Sequence, residues 1–174
     1  FVESIAFGDG SACGYTYFGG SSNQYYDVIV MDNDCIGVER NTLVHEFGHH
    51  FNLYHTHGDN TPSEYVNGTN CNVAGDYLCD TPADPQLSSS TVSNVNCLYS
   101  GNAVDDLGFL YEPDPSNFMS YAPQNCRDNF SPMGNARMYA AFHIYRSYYE
   151  CPSFNVGIIS EESQPDCDDN LIVN

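Results

Sequence analysis

Residues 45–55 read HEFGHHFNLYH, four histidines and one glutamate in eleven positions. Imidazole nitrogens ligate divalent metals, and a carboxylate beside such an ion can take a proton from a water on it. On a helix, His45 and His49 are four apart and share a face, with Cβ atoms about 5–6 Å from each other, near enough for one ion. Glu46 sits beside them. Leu43, Phe47 and Phe51 fall on roughly the opposite side, so the helix is expected to bury an apolar stripe beneath the pair. His55 lies six residues past His49, about 600° of turn and about 9 Å of rise, and a continuous helix would point it away. The helix must therefore break for His55 to join. Asn52 stands where the break is needed, and Asn enters the left-handed region more readily than other non-glycine residues.

The bland alternative is a histidine-rich exposed helix. At this chain's own residue frequencies, HExxHxxxxxH arises by chance in roughly a few per ten thousand such sequences, and the pattern nearly matches a known three-histidine zinc motif. A zinc site on His45, His49 and His55 is the stronger reading. His50 and His57 are left over; His50 points off the ligand face and, like His143, reads as a packing or surface residue.

These residues need a scaffold. At 174 residues, with 41% apolar and 14% aromatic content, the chain suits one folded domain. Four arginines, no lysine and 23 acids give a net charge of -19, which repels nucleic acid and anionic lipid and attracts cations or basic peptides. Eight cysteines without a CxxC pair point to disulfides rather than a Cys-ligated metal, and so to an extracellular setting. There is no run of about 18 apolar residues, so no membrane insertion is expected. The first residues do not read as a signal peptide; an export signal is expected to have been removed or to lie outside this segment.

CGYTYFGG and YYDVIVM, both before the histidines, are aromatic or β-branched runs around a Gly/Ser turn and read as strands. From about Gly58 to Asn117 the composition turns to Asn, Asp, Ser, Gly and Pro, an irregular stretch that cysteines and bound cations would have to hold together. SPMGNARMYAAFHIYRSYYE reads as a helix with Ser131 as N-cap, Pro132 at the first position, and Met138, Phe142, Tyr145 and Tyr149 packed as core. The tail after 152 is acidic and reads as solvated.

Three segments resemble the pappalysin family of metzincin metalloproteases: HEFGHHFNLYHTH its zinc consensus, GDYLCDTPADP its calcium-loop segment, and NFMSYAPQNCRDNFSPMGNARM its Met-turn and following helix. The resemblance covers roughly Tyr25 to Met138. It implies an α+β metzincin-like catalytic domain over 1–174. Residues 1–52 would form part of an upper subdomain with a twisted sheet and the active-site helix. Residues 53–152 would form an irregular lower subdomain stapled by disulfides and calcium, with a C-terminal helix, and 153–174 the tail. CGYTYFGG resembles the edge strand along which substrate lies, and YYDVIVM its neighbour. Only 44 residues precede His45, fewer than such an upper subdomain normally has, so the sequence is expected to begin inside the domain. Asn52 stands where the family usually has Gly, His57 where it tends to have Phe, and Gly134 where Gln is usual.

The resemblance assigns Met119 to a hydrophobic floor under the zinc and Tyr121 to the reaction intermediate. With three neutral imidazoles on zinc and Glu46 as proton acceptor, it implies a secreted, monomeric endopeptidase acting on protein or peptide substrates. Asp76, Asp80 and Thr81 offer oxygen ligands suited to calcium. The family pairing is Cys71 with Cys97 and Cys79 with Cys126, leaving Cys13 with Cys35 and Cys151 with Cys167. Asn125 and Asp128 fall at the substrate pocket, where an uncharged Asn125 implies only a modest, salt-sensitive preference for basic residues. Two rivals remain: a peptidase whose third zinc ligand is a downstream acid such as Glu64, and a calcium-stapled binding module with zinc but no turnover.

Overall fold

A computed structural model of the chain describes residues 2, 5–7, 10–20, 27–37 and 41–150. Among them, four short strands, β1 (Ala6–Phe7), β2 (Gly10–Ser11), β3 (Gly14–Thr16) and β4 (Ile29–Met31), precede α1 (Thr42–His50); α2 (Pro132–Tyr145) follows a long irregular stretch. β1 pairs with β2, and β3 with β4, both antiparallel. Gly14 faces Met31, Tyr15 faces Val30 and Thr16 faces Ile29. β3 and β4 fall within the two aromatic and β-branched runs, and Cys13 bonded to Cys35 fastens their ends.

α1 closes in a Schellman motif. Leu53 N donates to Gly48 O (2.8 Å) and Asn52 N to His49 O (2.9 Å), with Asn52 at φ 67°. The Asn52 Oδ1 also accepts from Gly19 N (2.5 Å), so one side chain both tolerates the reversal and anchors the chain leaving β3. Replacing Asn52 with Ala removes that acceptor and leaves a Cβ in the left-handed region without the side-chain amide that offsets it; a loss of about 1–2 kcal/mol is expected in chemical denaturation, and a smaller one for Asn52→Gly.

The expected apolar stripe under α1 is corrected. Leu43 and Phe47 are 44% and 43% exposed, whereas Thr42, His45, Glu46, Gly48 and His50 are buried. β3 and the chain around Met119 pack against the ligand-bearing side, so burial follows the site. α2 is corrected in the same way. Ser131 caps it through Gly134 N (3.0 Å) and Met138 packs on Leu53, Leu78 and Met119, but Tyr145 and Tyr149 are exposed. The buried place past the helix end goes to Arg146, whose Nε donates to Asp27 Oδ1 and His50 Nε2, both at 2.8 Å. His50 is thus part of a buried ionic cluster, completed by Tyr149 OH donating to Asp27 Oδ2 (2.8 Å).

No helix or strand interrupts residues 53–123. Asx turns hold the stretch, for example Asp105 Oδ1 accepting from Leu107 N and Phe109 N at 2.9 Å, and a small core of Leu87, Val92, Ala122 and Cys126 packs within it. The disulfides differ from the family pairing. Cys71 is bonded to Cys79 and Cys97 to Cys126, so each loop is closed locally or onto the chain after Met119. Cys151 and Cys167 lie outside the described residues. Among these residues, no helix is long and apolar enough to cross a membrane.

Candidate metal centre

The reversal at Asn52 brings His55 back over α1. The Nε2 atoms of His45, His49 and His55 stand 3.2, 3.2 and 2.9 Å apart. Three nitrogens on one zinc, each at about 2.0–2.1 Å in tetrahedral geometry, stand about 3.3 Å apart, so the set fits such an ion. Each Nδ1 has an acceptor on its other side: Phe118 O for His45 (2.6 Å), Leu53 O for His49 (2.7 Å) and Asp59 Oδ1 for His55 (2.6 Å). These oxygens accept only, so each Nδ1 carries the proton and each Nε2 lone pair is turned inward. Burial, reinforced by neighbouring imidazoles, pushes all three below the usual histidine range, His55 to about 4. The triad is held neutral, as metal ligation requires.

Glu46 is buried beside the triad, and burial pushes its carboxyl up to about 7. Gly14 of β3 presses on it: a Cβ there would stand 2.8 Å from Glu46 Cγ. Gly48 makes similar room below, where a Cβ would meet Met119 Sδ, so Met119 lies directly against α1. The Tyr121 ring is 4.5 Å from that of His55 and 4.8 Å from that of His57. The triad, Glu46 and Tyr121, together with β3, Phe18, Thr42, Gln124 and Arg127, line an open cleft of about 540 Å³.

The sequence-predicted triad, Glu46, Met119 and Tyr121 therefore come together. Glu64 takes no part in the triad; it lies against Gly75 and Asp76. Asp76 is buried with Thr81 beside its carboxylate, whereas Asp80 turns away to α2, accepting from Ser131 Oγ (3.0 Å) and Met133 N (2.7 Å). Asn125 and Asp128 are exposed and outside the cleft lining; Asn125 donates to Asn94 O (2.7 Å) and Asp128 accepts from Asn129 (2.9 Å).

Asp59 and Arg127 were not singled out as partners of these groups by the sequence, and Glu64 was weighed only as a rival zinc ligand. An acid four residues past a ligand histidine was a visible signal for Asp59. The carbonyls of Phe118 and Leu53 had none, because a backbone oxygen leaves no trace in residue type.

Two histidines on α1, a third returned to them by the reversal at Asn52, and a buried carboxylate make, in a disulfide-bonded α+β chain, a centre able to hold a metal ion and consistent with a metalloprotease domain. No family model matches the chain. It is similar to an extracellular metalloprotease of Colletotrichum graminicola, 30% identical over 150 residues that cover 79% of this chain and 47% of the relative. Similar values, 30% identity with 79% and 46% coverage, relate it to an extracellular metalloprotease of Sordaria macrospora. One from Pyricularia oryzae is 33% identical over 106 residues, 61% of this chain and 31% of the relative. The chain thus spans just under half the length of the first two.

Proposed function

We propose that this chain carries the catalytic centre of a secreted, monomeric zinc endopeptidase of pappalysin type. The observation that carries the reading is the convergence of three Nε2 atoms, each ring fixed from behind, beside a buried Glu46. Zinc held there by His45, His49 and His55 would supply Lewis acidity and acidify a bound water. A peptide laid along β3 would bring its scissile carbonyl to Glu46 and Tyr121, which line the same cleft. Glu46, with a carboxyl poised near 7, accepts the proton of the attacking water and returns it to the leaving amine. The Tyr121 phenol, beside His55 and with its pKa pushed further up by burial, is placed to donate to the developing oxyanion.

Calcium is the second proposed ion, held by Asp76 and Thr81 with Glu64. Glu64 Oε2 and Thr81 Oγ1 are both buried without a completed hydrogen bond, and two buried carboxyls side by side call for a cation. The binding module without turnover is less favoured, because Glu46 and Tyr121 both line the cleft.

Metal content by mass spectrometry, paired with an unbiased peptide-cleavage assay, tests the reading. One zinc per chain and cleavage are expected; a zinc-loaded protein that cuts nothing overturns it. Asp59→Ala is expected to weaken zinc binding about 10–100-fold in chelator competition, by releasing His55 Nδ1.

A further inference from the structure

Arg127 is a half-buried cation without a counter-charge. Its NH1 donates to Ser120 O (3.2 Å) and, at longer range, to Phe118 O (3.5 Å), and stands 3.4 Å from His45 Nδ1. Its Nε is buried with no partner, and among the described residues no acid pairs with it. Gln124 beside it in the cleft lining has the complementary defect: Nε2 donates to Thr42 Oγ1 (3.2 Å), while Oε1 is buried and unpaired. The backbone beneath is fixed, because Asn41 Nδ2 donates to both Gln124 O (2.6 Å) and Arg127 O (2.8 Å). A buried, unpaired guanidinium costs stability, and such unsatisfied groups in a cleft mark the place of a missing partner.

We propose that Thr42, Gln124 and Arg127 form a subsite for a carboxylate of the peptide substrate, so that the cleft selects an acidic residue close to the scissile bond. The inference rests on the peptidase reading above. It reverses the basic preference expected from Asn125 and Asp128, which lie outside the cleft lining, and rests on Arg127, the arginine that lines the cleft beside the acids Glu46 and Asp59. Arg127 supplies a charge-assisted hydrogen bond to the carboxylate, and Gln124 Oε1 accepts from a peptide amide. The chain's overall charge of -19 repels the same ligand at long range. Salt screens that repulsion more than a half-buried contact, so the advantage of an acidic residue should persist or grow as ionic strength rises.

The test uses neutral peptides in which Glu, Gln or Lys is walked through each position around the scissile bond, each with a free or an amidated C-terminus. Binding is read on the Glu46→Gln protein, with and without added zinc, and kcat/KM on the wild type. At one position Glu is expected to bind roughly tenfold better than Gln, and better still than Lys, at low and high salt. Loss of the advantage on amidation alone would assign the subsite to a terminal carboxylate rather than a side chain. Arg127→Gln should level Glu with Gln, and Arg127→Lys should restore part of the difference. Equal binding of the Glu and Gln peptides, or preference for Lys, overturns the proposal even if Arg127 variants fail to fold, since the wild-type and Glu46→Gln series decide it alone. Absence of zinc and cleavage would instead refute the peptidase reading, because the binding preference is read without turnover.

Discussion

Glu46→Gln is expected to retain zinc while peptide cleavage falls by about two to four orders of magnitude. Removing a positioned general base typically costs 10²–10⁴-fold, and the amide has no lone pair basic enough to replace the carboxylate. The substitution is nearly isosteric, which matters because β3 presses on this side chain: a Cβ at Gly14 would stand 3.0 Å from Glu46 Oε1. The ligands contact Phe118, Leu53 and Asp59 rather than Glu46, so their geometry should not change. Metal content and kcat/KM measured on one preparation check this. Near-normal turnover with zinc bound would place the proton transfer elsewhere.

Glu64→Gln should change the sign of its effect on stability with calcium. Burial pushes Glu64 up to about 7 and Asp76 up to about 6, Glu64 further by the charge of Asp76. Both folded-state values exceed those of an unfolded carboxyl, so without a cation the folded state binds more protons. Stability from this pair then rises as pH falls from above about 7 into the ordinary carboxylate range. With calcium bound the ionised pair is favoured, and its contribution is lost on acidification. At pH 7.5 in chelator, Glu64→Gln should therefore melt higher than wild type by roughly 5 °C, and the gap should close by about pH 5. In excess calcium the wild type should melt higher. Melting curves of both proteins in both buffers decide it; the same sign in chelator and in calcium would remove Glu64 from the site.

Much of the centre was legible because its information is local. His45 and His49 are fixed by helix period alone, and Asn52 marked the break that returns His55. The irregular stretch after Gly58 was also legible, since Asx turns are written in Asn and Asp themselves. What failed depends on contacts between distant segments. The burial pattern of α1 inverted because β3 and the chain at Met119 cover its ligand side, a fact that Leu43 and Phe47 cannot encode. Cysteine pairing is underdetermined by spacing, and the family pattern did not transfer to Cys71 and Cys97. Asp80 was read with Asp76 because they share a loop, yet its carboxylate serves the amide of Met133 on another element.

The ionic cluster under α1 bears on when this centre can exist. His50 is the last residue of α1, and its buried partner Arg146 lies 96 residues further on; Asp27, the acid in the same cluster, is 119 residues from Arg146. Such closures are made late, because loop entropy must be met before the contact rewards it. While the chain grows from its N-terminus, α1 can coil early, but its foot stays unanchored until nearly all of residues 27–146 has been synthesised. The carbonyls that orient the ligands are equally spread, with Phe118 far downstream of His45. A centre so assembled is incomplete on the unfinished chain, and on the peptidase reading proposed above cleavage would have to wait for the last of these segments.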